Sequence, residues 1–180
     1  MIEYYTFKHR GYSLEYRDEV FLRLVPSITV ALFDGNKLES APKSQSLLFS
    51  EILSSEEGRK NLTDLNDIFE ECLDEKSEYF ILRVVNNGIE CIRKGGACAK
   101  IVSKGQITLL PNGFYCLDSD DRVICATDNF FKHISEEGIL ADALVADSCS
   151  DWMNMMVRRI SDQTQLKCGN LSAVTLMLCK

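Results

Sequence analysis

S-I-T-V-A-L-F-D-G-N-K-L-E-S, running from Ser27 to Ser40, is the stretch on which the reading of this chain turns. Val30, Ala31, Leu32 and Phe33 make a short unbroken apolar run. Such a run suits a strand covered on both faces, because successive side chains point to opposite sides and neither set here is polar. It stops at Asp34-Gly35, a turn dipeptide whose glycine tolerates backbone angles that other residues avoid. A carboxylate at the end of a buried strand, beside a glycine carbonyl, is also an oxygen pair of the kind that hard divalent cations take. Asp-Gly is equally a common hairpin turn, so both readings stand at this point.

Working outward, Asp18 to Val25 puts Val20, Leu22 and Leu24 on one face with Phe21 opposite, and Pro26 ends the strand. This segment and Ser27 to Phe33 are expected to form a hairpin, which would set Asp18 and Asp34 at the same edge of one sheet. Ile2 to His9 alternates as a strand before the turn His9-Arg10-Gly11. Ser40 to Ser54 reads as a helix, with Leu47, Leu48, Ile52 and Leu53 as its stripe and Pro42 in the first turn. Leu62 to Leu73 reads as a second helix, with Leu65, Ile68, Phe69 and Cys72 at helical spacing.

The pattern then changes to strands at Tyr79 to Val85, Ile89 to Lys94, Ala97 to Val102 and Gln106 to Leu110. Asn86-Asn87-Gly88, Gly95-Gly96 and Lys104-Gly105 separate them as hairpin signals, so a central antiparallel meander is expected. Arg122 to Thr127 is a further strand ending on Asp128, Ile134 to Ala146 and Asp151 to Ile160 are amphipathic helices, and Leu171 to Cys179 is a closing strand. One helical pair precedes the strands and one follows. The expected fold is α+β, a four-layer α-β-β-α sandwich of two antiparallel sheets flanked by helices, in a single domain over residues 1–180.

With 46% hydrophobic and 26% charged residues, the 180-residue chain falls in the soluble globular class. A net charge of −7 argues against nonspecific binding to nucleic acid or an anionic membrane, both of which need clustered Lys and Arg. Arg93-Lys94 and Arg158-Arg159 read as solvated faces. No apolar run approaches the roughly 20 residues that span a bilayer, and M-I-E-Y-Y-T-F-K-H-R alternates and carries charge, unlike a signal peptide. The eight cysteines show no C-x-x-C pair and are expected as free, mostly buried thiols in a reducing cytoplasm. His9 and His133 are isolated, which argues against a structural zinc site.

The candidate chemistry lies in acids at strand ends. Asp34 follows V-A-L-F, Asp128 follows V-I-C-A-T, and Asp18 precedes V-F-L-R-L. Two magnesium or manganese ions could share such a cluster, and a two-metal centre activates water and clamps phosphate oxygens. The plainer reading is that each Asp caps a turn or a helix, Asp128 before Asn129-Phe130-Phe131 being a possible N-cap.

The order of these features resembles the metal-dependent type 2C protein phosphatase family. That family opens with Gly-x-x-Arg…Asn-Glu-Asp, and His9-Arg10-Gly11-Tyr12 through Tyr16-Arg17-Asp18-Glu19 lies in that place. Its Asp-Gly-x-Gly-Gly corresponds to Asp34-Gly35-Asn36-Lys37-Leu38, and its Gly-Asp-Ser-Arg strand to Ile92 through Ala99. Its Thr-Asp-Gly corresponds to Leu117 to Asp121 and then V-I-C-A-T-D-N, and its Asp-Asn-x-Thr to Gly169-Asn170-Leu171-Ser172. The resemblance covers nearly the whole chain, in a shortened form similar to small bacterial members.

It implies metal roles for Asp34, the Gly35 carbonyl, Asp128 and Asp18, catalytic roles for Asp34 and Asp128, and a phosphate-binding role for Arg10; Arg17 is a second phosphate-binding candidate by the chemistry of its guanidinium. It implies one or two Mn2+ or Mg2+ ions, weakly bound, and a phosphoprotein, kinase or regulator as partner. The chain departs from the family pattern at Arg17, Lys37, Leu38, Gly96, Asn129 and, at the last metal-binding aspartate, Gly169. Losing a carboxylate weakens a divalent site, and Arg17 would oppose cations or hold phosphate. The function expected is a phosphoserine/phosphothreonine phosphatase with a weakened metal centre, favoured by the three retained acids; the alternative is a catalytically inactive pseudophosphatase that acts as a protein-binding or regulatory module, favoured by the departures.

Overall fold

Thr29–Asp34 (β3) is buried on both faces because it lies between two apolar layers. Val30 and Leu32 enter the layer between the two sheets, while Ala31 and Phe33 pack under helices on the outer side. A computed structural model describes residues 2–39, 42–86, 88–165 and 167–178. One sheet has the order β1-β10-β9-β6-β7 and the other β2-β3-β4-β5-β8, and every pairing is antiparallel. The first sheet comprises Ile2–His9 (β1), Leu171–Leu178 (β10), Arg122–Ala126 (β9), Cys98–Ser103 (β6) and Gln106–Leu109 (β7). The second comprises Glu19–Arg23 (β2), β3, Glu78–Val85 (β4), Gly88–Lys94 (β5) and Gly113–Cys116 (β8).

Helices Pro42–Ser54 (α1) and Leu62–Cys72 (α2) cover the outer face of the second sheet, where Phe49 packs on Phe33 and is itself flanked by Phe69 and Tyr79. Asp128–Lys132 (α3), Glu136–Val145 (α4) and Cys149–Thr164 (α5) cover the first sheet around Trp152, Met156 and Phe130. The α-β-β-α sandwich expected from the alternation of patterns is the observed architecture. Buried polar groups are paired inside it: Trp152 Nε1 donates to the Ile139 carbonyl at 3.2 Å, and Arg159 grips Asp142 with two bonds of 2.7 and 2.8 Å. Among the described residues no helix is long and apolar enough to cross a membrane.

Several local expectations change. The central strands are not one meander: β4 and β5 belong to one sheet, β6 and β7 to the other. Gly95-Gly96 is therefore a crossover between sheets rather than a hairpin turn. Leu117 to Asp121 is a loop ahead of β9, and β8 precedes it. Asn87, within an expected turn, and Ser40, at the expected start of α1, lie outside the described residues. On α1 the buried face is Ser46, Phe49 and Leu53, while Leu47 is 51% exposed, because the helix is rotated from the stripe that its leucines suggest. Phe49→Ala should cost about 3–5 kcal/mol and Leu47→Ala less than about 0.5, read as urea midpoints on the two variants.

Seven cysteines are described, all free; Cys91, Cys98, Cys125, Cys149 and Cys168 are buried, and Cys72 and Cys116 are exposed. Cys72 ends α2 on its solvent side, and Cys179 lies outside the described residues. Burial pushes the Cys91 thiol up to about 11 and raises the Cys125 thiol well above its ordinary value too. Rapid labelling of the native chain should mark Cys72 and Cys116, with Cys91, Cys98 and Cys125 reacting only after unfolding. Peptide mapping that finds Cys125 among the fast-labelled thiols would contradict the packing between the sheets.

Candidate functional site

The register that pairs Glu19 with Phe33, carried one residue outward, sets Asp18 opposite Asp34. Asp34 in turn pairs across to Glu78 at the start of β4. Three carboxylates thus stand side by side at one end of one sheet. Asp128 reaches the same end from the other sheet as the first residue of α3; Thr127, between it and β9, takes the N-cap position that the sequence suggested for Asp128. The β5–β6 crossover links the two sheets at this point. A Cβ on Gly95 (φ 81°) would lie 2.3 Å from Glu78 Cγ, and one on Gly96 would lie 2.7 Å from Asp128 Cβ. The two glycines let the chain pass between these acids, and a side chain there would displace them.

Asp18 is 1% exposed and Asp34 3%. Asp18 Oδ2 accepts from the Ser172 hydroxyl at 2.7 Å, and Ser172 Oγ shares a 2.6 Å bond with the Tyr16 hydroxyl. Asn36 Nδ2 also donates to Asp18 Oδ1 at 3.4 Å. Burial, with the charge of Asp34 added, nevertheless raises the Asp18 carboxyl to about 7. Asp34 Oδ1 accepts from the Asn36 N–H at 3.0 Å and Asn36 Nδ2 at 2.8 Å. Burial raises the Asp34 carboxyl too; the Asn36 bonds oppose this, and the charges of Glu78 and Asp128 add to it.

The cations at the site are lysines. Lys37 Nζ bonds directly to Glu78 Oε1, and Lys132 Nζ lies 2.5 Å from Asp128 Oδ2, one helical turn away. Both line a cleft of about 210 Å³ together with Asp34, Asn36, Asp128 and Gly169. The Gly169-Asn170 turn is placed there by Asn170, which is wholly buried. Its Oδ1 accepts from the Arg17 N–H at 2.7 Å, and its Nδ2 donates to the carbonyls of Arg10 and Glu15 at 3.0 and 3.1 Å.

The structure brings Asp34 and Asp128 into one cleft and leaves the other expected site residues outside its lining. Asp18 faces a neighbouring cavity of about 400 Å³ with Tyr16, Glu19 and Lys43. The Gly35 carbonyl accepts the Leu38 N–H at 3.2 Å within the turn. Arg10 is exposed, with its guanidinium on the Leu14 carbonyl at 3.4 Å, and Arg10 and Arg17 both meet Asn170 through backbone atoms. Glu78, Lys37 and Lys132 were missed as site residues. Glu78 carried the signal used for Asp18, an acid immediately before an apolar strand, but position alone does not show that it pairs with Asp34.

These residues do not fit a two-ion centre. Gly169 supplies no carboxylate, the Asp18 oxygens are engaged by protein donors, and lysine ammonium groups sit on Glu78 and Asp128. Among the described residues no three His, Cys, Asp or Glu side chains are grouped so as to hold an ion.

The architecture is that of the type 2C serine/threonine phosphatases. The RsbX structure in complex with magnesium superposes with a TM-score of 0.81 at 13% identity, covering 99% of this chain and 96% of RsbX. The serine/threonine phosphatase of S. agalactiae gives 0.80 at 14% identity, covering 99% of this chain and all of that one. The catalytic domain of PstP in complex with two manganese ions gives 0.71 at 13% identity, covering 99% of each chain. No protein-family model and no curated protein matches the sequence. The resemblance seen in the motif order therefore holds at the level of the fold.

The Asp18 carboxyl keeps its proton to about pH 7 in the folded chain, against 3.8 for the ordinary group. Between those values the folded chain binds more protons than the unfolded one. Stability should therefore fall as pH rises from about 4 to about 7, by up to about 1.4 kcal/mol per pH unit for one proton. Urea unfolding across that range should show this slope in wild type and a flatter one in Asp18→Asn. An equal slope in both would assign the titration to another group.

Proposed function

We propose that this chain is a pseudophosphatase: a type 2C phosphatase fold without catalysis, kept as a protein-binding or regulatory module. The observation that supports this is the pairing of the cleft's own acids with the chain's own lysines, Glu78 with Lys37 and Asp128 with Lys132. An ammonium group neutralises a carboxylate, but it has no open coordination position and cannot lower the pKa of a bound water as a divalent ion does. Gly169 removes the carboxylate that could compete for such an ion. The partner expected from the resemblance is a phosphoprotein, a kinase or a regulator.

A second reading has its own support. Asp34 and Asp128 line one cleft, as a manganese- or magnesium-dependent phosphoserine/phosphothreonine phosphatase with a weakened centre requires. Hydrolysis of a generic aryl phosphate separates the two. Wild type should match buffer with and without millimolar manganese. Turnover that scales with protein, needs manganese and disappears in Asp34→Ala would establish the phosphatase reading instead.

A further inference from the structure

We propose that the outer edge of β1 pairs antiparallel with the β1 edge of a second copy of this chain, Thr6 facing Thr6, so that the first sheet continues from one protomer into the other. This goes beyond the function inferred above and does not depend on it. The two sheets have four edge strands, β1, β2, β7 and β8. β2, β7 and β8 are five, four and four residues long. Edges that short offer little backbone to another chain. β1 runs for eight residues and matches β10 residue for residue from Ile2↔Leu178 to His9↔Leu171, without a bulge. It contains neither proline nor glycine. Among the described residues no strand pairs with its outer side. Alternate residues of β1 therefore present their N–H and C=O groups there.

The side chains do not guard this edge. Odd-numbered residues face the helices, where Phe7 packs on Phe130 and Glu3 Oε1 accepts the Cys149 N–H at 2.9 Å. Even-numbered residues face the second sheet, where Ile2 packs between the sheets and Lys8 Nζ reaches Glu19 Oε1 at 2.6 Å. The strand's acid and its lysine are thus both turned to partners inside the protomer. Its middle is left open: Tyr4 and Tyr5 are each 37% exposed, and Thr6 is exposed beside them. Tyrosine, with an apolar ring and a polar tip, suits a contact surface.

The strand complements itself. A two-fold axis perpendicular to the sheet keeps each face continuous, so residues set opposite each other are both odd or both even. Two such registers engage most of β1. Centring on Tyr5 sets Glu3 against Phe7 and Ile2 against Lys8, which gives each charge an apolar neighbour. Centring on Thr6 sets Glu3 against His9, Tyr5 against Phe7 and Tyr4 against Lys8, each twice, with Thr6 against Thr6. Those are acid–imidazole, aromatic–aromatic and cation–π pairs, the kinds that stabilise neighbouring strands.

Sedimentation of the whole chain should show a monomer–dimer equilibrium at micromolar concentration. Thr6→Lys sets two ammonium groups opposite each other at the axis and should raise the dimer dissociation constant at least about tenfold. Leu109→Lys, on the exposed β7 edge, should leave it unchanged. Mild oxidation of Thr6→Cys should join two chains through that position, since residues facing each other across an antiparallel pair lie about 4.5–5.5 Å apart at Cα, within disulfide reach. Tyr5→Cys should not be joined to its own copy, because the register offsets the two along the strand. Peptide mapping separates such a bond from any made by the exposed Cys72 and Cys116. A wild-type chain that stays monomeric at every concentration overturns the proposal. So does a dimer that folded Thr6→Lys does not weaken, or one that oxidises through Tyr5→Cys and not through Thr6→Cys. If Thr6→Lys fails to fold, the cross-linking pattern decides alone.

Discussion

Carboxylates gathered in a poorly solvated corner repel one another, and the corner where the two sheets of this protein meet holds four. Each is accommodated differently. Asp18 accepts from Ser172 and Asn36 and keeps a raised affinity for its proton. Asp34 is held by the backbone and side chain of Asn36. Glu78 and Asp128 each receive a lysine. The turn after β3, the start of β4 and the short helix after β9 are all shaped by that requirement for hydrogen bonds or countercharge.

The corner also ties the chain together over long distances. Asn170, just before the last strand, holds the loop that carries Arg10, Glu15 and Arg17 by three hydrogen bonds. Tyr16 reaches Ser172, which reaches Asp18, so the N-terminal loop, β10 and the β2–β3 hairpin share one buried polar chain. A polar network of this kind specifies position more than it stabilises, because its groups exchange water for one another. Stability comes from the three apolar layers: between the sheets, under α1 and α2, and under α3 to α5.

Fold and site separate here. Superposition over nearly the whole chain at 13–14% identity shows that the architecture is kept with few shared residues. Most positions of β3, β9 and β10 need only be apolar and of suitable size. The site is sensitive to single residues, since Gly169 brings no carboxylate to the cleft and Lys37 brings an ammonium group. A shared fold therefore does not transfer chemistry to this chain; the residues in the cleft have to be read individually.

Much of the architecture was legible in the chain because burial leaves a period. The doubly apolar V-A-L-F run, the Asp18–Asp34 hairpin, both helical pairs and the closing strand follow from alternation and from turn dipeptides. The sequence alone also marked Asp34 and Asp128 as strand-end acids and Gly169 as a missing one. It did not decide which sheet each strand joins, since Gly95-Gly96 has the composition of a hairpin turn and acts as a crossover. Nor did it decide the rotation of α1, where packing of Phe49 leaves Leu47 in solvent. The Lys37–Glu78 pair was out of reach for the same reason, whereas Lys132 stands four residues after Asp128 on one helix. Lys37 and Glu78 are 41 positions apart, and only the β3–β4 pairing brings them together, while Arg10 and Arg17, nearer in motif order, have their backbones taken by Asn170. Local pattern determines which residues are buried, because water acts on each segment separately; partners across strands are set by the register of the whole, which no segment contains.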